Sequence, residues 1–186
     1  MAMNRGDARR REHVLAAALP VFATFGYRKT SMDAVAQAAD ISRPGLYFFF
    51  AGKEELFRET MRQALDQAMG DVRAALATDD DIQARLVSAL DAFLGRYVGT
   101  HINEGVDTLV QHGTAGLNDM YDDYRAAFLS ALAQAVAASG PLTGAVTPRE
   151  IAEVLHAAGT GWKHRVTDRA EFVDRLTTAV RVAMRS

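Results

Sequence analysis

TSMDAVAQAADISRPGLYFFFAGKEEL, residues 30–56, is the stretch whose reading decides the fold. Thr30-Ser31 puts hydroxyl side chains where the free backbone N–H groups of a helix start need acceptors. Val35 and Ala36 supply that helix's inward face. Ala39-Asp40-Ile41 breaks the pattern, and Ser42 caps a second helix with Pro44 in its first turn, where a missing N–H costs little. Leu46 and Phe50 then share a face at i,i+4 spacing. Helix, short turn, helix is the helix-turn-helix arrangement, which lays its second helix in the major groove of duplex DNA. On this reading Leu46 and Phe50 hold the helix to the core. The DNA-facing set is Ser42, Arg43, Pro44, Gly45, Tyr47 and Phe48. Arg43 is the natural base reader, because its planar fork matches the O6/N7 edge of guanine. Phe48 has two readings, a contact to a thymine methyl or a core side chain.

From about Arg9 to Leu56 the sequence is similar to the N-terminal domain of TetR-type transcriptional regulators. The matching residues are an apolar first helix ending in Phe25-Gly26-Tyr27, then Thr30-Ser31, Ile41-Ser42, Leu46-Tyr47, Phe50 and Lys53-Glu54-Glu55-Leu56. The rest of the chain resembles that family only in length and helical character. The resemblance implies phosphate contacts from Tyr47 and Lys53, and places Thr30 and Ser31 at a helix start able to make the same contact. It also implies a body that binds a small-molecule inducer and pairs through its last two helices as a four-helix bundle. Three features depart from the family pattern. Asp40 stands where the family usually has Gly, and Asp tolerates the left-handed conformation better than most residues. Phe48 and Phe49 replace polar or His residues. Pro20 interrupts the first helix, where it removes a backbone hydrogen bond and is expected to kink the axis.

Composition sets outer bounds. The 186 residues are enough for a real core, and 49% hydrophobic with 24% charged residues is ordinary for a globular protein. The net charge of −2 looks wrong for a DNA binder until it is divided. Residues 1–62 hold 10 Lys+Arg and 7 Asp+Glu, whereas residues 63–186 hold 11 and 16. A basic head on an acidic body fits that asymmetry. Arg9-Arg10-Arg11, read as preceding helix one, is the concentrated cationic part and a candidate for non-specific phosphate contact. The absence of cysteine excludes disulfides and thiolate metal sites. No apolar signal segment opens the chain, and the run Val14–Ala23 is too short to span a bilayer. A cytoplasmic protein without membrane partners is the expectation.

Nearly every segment has helical period. Nine helices are expected in an all-α fold, with a DNA-binding domain over residues 1–52 and a ligand-binding and dimerisation domain over 53–186. A long helix covers Lys53 to Ala77, another Ile82–Val98, and two more residues 100–113 and 117–138. Thr147-Pro-Arg-Glu150 is a capping box opening the penultimate helix, and Ala170–Met184 forms the last. Phe93, Tyr97, Met120, Tyr121, Tyr124, Phe128 and Trp162 take helical spacing, which suits core packing. Ring faces with a few hydroxyls also encode an apolar pocket with polar handles. The pocket reading predicts a hydrophobic, partly aromatic effector, neutral or cationic, since only Arg96 and Arg125 lie between residues 86 and 148. No cofactor is expected. His101, Glu104 and His112 are metal-ligating types on one predicted face, but Gly105 intervenes and the spacing lacks an i,i+4 histidine pair.

Two apolar stripes close the chain: Ile151, Val154, Leu155, Ala158, Trp162 and Val166, then Phe172, Leu176, Ala179, Val180 and Ala183. Gly159 and Gly161 would allow close backbone approach. The surplus of apolar surface, with the two half-sites a helix-turn-helix protein usually reads, predicts a homodimer. The expected function is a DNA-binding, ligand-released, homodimeric repressor on an operator duplex. One rival is an architectural or cell-cycle DNA-binding protein whose body takes a protein partner. The other is an enzyme, for which no nucleophile–base or phosphate-loop motif speaks.

Overall fold

The computed structural model describes residues 5–99, 117–141 and 146–185. Among these the regular structure is entirely helical: α1 Arg5–Lys29, α2 Met32–Ala38, α3 Arg43–Phe49, α4 Lys53–Leu76, α5 Ile82–Leu90, α6 Leu117–Ala138, α7 Pro148–Trp162 and α8 Arg169–Ala183. The all-α expectation holds. The helix expected over 100–113 lies outside the described residues, as do His101, Glu104 and His112.

Local chemistry sets most helix starts. Ser31 accepts from Ala34 N, Ser42 from Gly45 N, Asp81 from Gln83 N and Ala84 N, and Asp168 from Glu171 N. Thr147 and Glu150 form the expected reciprocal capping box, with Pro148 opening α7. These backbone N–H groups have no partner inside their own helices, and each cap is worth about 1 kcal/mol.

Two elements depart from their sequence reading. The break in α1 falls at Gly26, whose φ of 74° and ψ of 161° are non-helical, and not at Pro20. Pro20 is exposed, whereas Gly26 can take a backbone conformation that other residues resist. The helix expected over Ile82–Val98 is α only to Leu90 and continues as one π-helical turn, Asp91–Gly95. A Cβ on Gly95 would lie within 3.1 Å of the Asp91 carboxylate and the Phe172 ring, so a larger residue there would displace those side chains.

The described residues pack as two units: residues 5–66 with 117–121, and residues 67–99 with 122–141 and 146–185. Helices α4 and α6 each run from one unit into the other. In the first unit Val14, Ala18 and Phe22 of α1, Val35 of α2, Leu46 of α3, Phe50, and Leu56, Phe57 and Met61 of α4 form the core. The Phe57 ring centroid lies 4.9 Å from both Phe22 and Tyr27. Each such large side chain adds about 1.5–3 kcal/mol on burial.

In the second unit Leu86 and Leu90 meet Phe128, Leu132 and Val136, Ile151 and Leu155, and Phe172, Leu176 and Val180. The i,i+4 intervals give each helix one inward stripe. A Cβ on Gly159 would lie 2.6 Å from Leu94 Cδ1, so a larger residue there would push the Leu94 side chain aside. Gly161 is exposed with nothing near it, and close approach is not its role.

Candidate nucleic-acid interface

The first unit presents α3 on a firmly fixed base. Ser42 caps it, and the fully buried Leu46 and Phe50 seat it in the core. Asp40, with φ of 51°, is the one non-glycine at positive φ among the described residues. It therefore fills the left-handed turn position, where an Asp side chain is tolerated. Ser42, Arg43 and Pro44 are exposed, and Gly45 is half-buried at the cap. Tyr47 is 43% exposed and Phe48 73%. The two readings of Phe48 thus resolve: it is a surface residue, with its ring held edge-on to Phe49 at 5.1 Å.

Arg43 lies across the outer face of the motif. Its guanidinium donates to Asp33 Oδ2 on α2 at 3.1 Å and sits 5.7 Å from the Tyr47 ring centroid. Its hydrogen bond with Tyr47, then the charge of Asp33, raises its pKa further, so the fork is always cationic. An exposed ion pair of this kind holds weakly and yields readily to a base edge or phosphate.

Thr30 and Lys53, expected to face phosphate, both hydrogen-bond within the fold, and Lys53 is half-buried. Thr30 is buried, and its hydroxyl donates to Gly26 O at 2.9 Å. Lys53 Nζ donates to Tyr27 O at 3.0 Å, Arg28 O at 3.3 Å and Thr30 O at 3.0 Å, and lies 4.7 Å from the Tyr27 ring centroid. The physical cause is the end of α1. Its last carbonyls lack intrahelical donors and carry partial negative charge, which an ammonium with three protons satisfies. Ser31 remains exposed at the start of α2.

The arginine cluster also divides. Arg9 and Arg10 are exposed, but on the first turns of α1 and not ahead of it. Arg11 pairs with Glu59 at 3.1 Å and covers the Phe50 ring at 4.9 Å. The Arg11–Glu59 and Arg43–Asp33 pairings are what sequence reasoning missed. The partners lie 48 and 10 positions apart, beyond any helical period.

The aromatic set expected to bind ligand is distributed over both units. Met120 packs against the first unit's core, and Tyr121 is half-buried in the same unit. Phe93, Tyr97, Tyr124, Phe128 and Trp162 belong to the second. Phe93 stacks on the fully buried Phe128 with centroids 4.2 Å apart and planes 6° apart. Tyr124 packs beside the same core. Burial raises the Tyr97 hydroxyl pKa, opposed by the nearby Arg96. Among the described residues no group of three or more His, Asp or Glu side chains is placed to hold a metal ion. No helix among them is long and apolar enough to cross a membrane.

The two C-terminal stripes split by face. Ile151, Leu155, Phe172, Leu176 and Val180 are core. Val154 and Val182 are 61% and 66% exposed and border an apolar groove of about 470 Å³ that Trp162, Ala179 and Ala183 also line.

Residues 14–60 match the model for bacterial regulatory proteins of the tetR family. The HTH-type transcriptional activator FasR of Mycolicibacterium smegmatis is 39% identical over 84 residues, which are 45% of this chain and 38% of that protein. The match thus spans well under half the relative's length. Among solved structures, the choline complex of a Saccharomonospora viridis transcriptional regulator aligns over 94% of this chain and 96% of its own, with a TM-score of 0.76 and 18% identity. AibR in complex with isovaleryl coenzyme A and operator DNA aligns over 95% and 98%, with a TM-score of 0.68 and 19% identity. At these identities the likeness is one of fold.

Proposed function

We propose that this chain, whose residues 14–60 match the model for bacterial regulatory proteins of the tetR family, acts as a DNA-binding repressor released by ligand. The observation that carries the reading is α3. Arg43, Tyr47 and Phe48 stand outward on a seven-residue helix whose Leu46 is fully buried. Arg43 offers a bidentate fork to guanine and Phe48 an apolar face to a thymine methyl. Tyr47, Ser31, Arg9 and Arg10 supply phosphate contacts that set register. The working form is a homodimer in the cytoplasm, paired through the groove of α7 and α8, with two heads reading half-sites about one helical turn apart.

The effector is a small hydrophobic, partly aromatic molecule held by the second unit. That other proteins of this fold were crystallised with choline and with isovaleryl coenzyme A supports a body that accepts organic ligands of varied charge. Ligand acts by favouring the DNA-free state by a few kcal/mol, and α4, shared by both units, is the element to transmit it. Selection from a random-sequence duplex pool tests the reading. A palindrome with half-sites about ten base pairs apart is expected. A pool that never departs from random would refute it.

A further inference from the structure

His156 and Thr160 stand four residues apart on α7, and so on one face of that helix. His156 Nε2 and Thr160 Oγ1 are both shut off from solvent, and neither has a hydrogen-bond partner among the described residues. Folded proteins leave few buried polar atoms unpaired, and two on successive turns of one face is not an arrangement that packing alone favours. Their surroundings are aromatic. The His156 ring lies 6.1 Å from Phe128, which in turn stacks on Phe93. Burial, then the charges of Arg125 on α6 and Lys163 just beyond α7, lowers the imidazole pKa, so the ring is neutral near pH 7. A cationic ligand group brought there would meet those same two charges.

We propose that His156 and Thr160 form the polar end of the effector site, which takes a flat apolar molecule bearing one uncharged hydroxyl. A hydroxyl both donates and accepts, so it satisfies either tautomer of a neutral imidazole together with the threonine hydroxyl. The Phe93–Phe128 pair supplies the ring face for the apolar part. This inference rests on the reading that the second unit holds an effector, and it narrows the effector to neutral compounds.

The test uses the full chain and four probes of one shape: 1-naphthol, naphthalene, 1-naphthoate and 1-naphthylmethylammonium. Thermal shift should be largest for 1-naphthol. Thr160→Val, which removes an unpaired hydroxyl at nearly constant volume, should raise Tm without probe and erase the preference for 1-naphthol over naphthalene. His156→Phe should erase it too, while Thr160→Ser retains it. No shift with 1-naphthol, an equal shift with naphthalene, or a preference for either charged probe would overturn the assignment. So would a Thr160→Val variant that is less stable yet keeps the preference. Anisotropy on the selected duplex separates the two readings. DNA affinity that 1-naphthol leaves unchanged, with the thermal preference intact, removes the effector role and leaves the site.

Discussion

The head is finished and the body is not. In the first unit the Lys53 ammonium, the Thr30 hydroxyl and the capping hydroxyls of Ser31 and Ser42 all have partners inside the fold. In the second unit lie all three buried side-chain atoms without a partner among the described residues: Arg85 Nε, His156 Nε2 and Thr160 Oγ1. There also Val154 and Val182 stand exposed beside an apolar groove. The difference teaches where binding energy is to be gained. A head that meets DNA with its surface benefits from a rigid interior, because register depends on fixed side-chain positions. The proposed effector and dimer roles of the body would each use such unfinished surface.

Core truncation is the largest expected effect and should strike the two units alike. Phe57→Ala in the first and Phe128→Ala in the second each remove a ring at 0% exposure, at a cost of about 3–5 kcal/mol in chemical denaturation. A loss below ~1 kcal/mol at Phe57 would break the picture of a tightly packed head. Next comes charge on α8, which should read differently by face. Leu176→Glu puts an unpaired carboxylate in the core and should prevent folding. Val182→Glu should leave a folded monomer in sedimentation, and an undiminished dimer would place the interface elsewhere.

Lys53→Ala tests whether the head's interior is as complete as it looks. Losing a charged donor to three carbonyls should lower stability by about 1–3 kcal/mol. A variant as stable as the parent but with a flatter salt dependence of DNA binding would assign Lys53 to phosphate instead. The smallest effect belongs to His156. Its folded-state pKa lies below the unfolded value of about 6.5, so the unfolded chain binds the proton more readily. Stability should therefore fall as pH drops below about 6.5, and His156→Phe should remove that part of the slope. An unaltered pH profile in the variant would mean that His156 is not held neutral.

What was legible in the sequence was what short spacing encodes. The Leu46–Phe50 seat, the Ser42 cap and the Thr147–Glu150 capping box are set by neighbours three or four residues apart, and the structure places them as read. Residues whose roles depend on distant partners escaped. Lys53 reaches carbonyls 23 to 26 positions back, and Arg11 reaches Glu59. Composition does not show which cations are already paired within the fold. The stripes on α7 and α8 were visible, but helical period alone did not separate core Leu155 from exposed Val154. The polar pair on α7 was hidden for a related reason. A histidine and a threonine one turn apart are unremarkable until both prove buried and unpaired.

The central claim is that the outer face of α3 reads DNA from a base that does not depend on it. Equilibrium titration of the selected duplex with the double variant Arg43→Ala/Phe48→Ala tests it most directly. Both side chains are exposed, so the melting temperature should match the parent's. Affinity for the selected sequence should fall about 100-fold toward that for random duplex, while binding to random duplex barely changes. A folded double variant that retains both affinity and sequence preference would contradict the account.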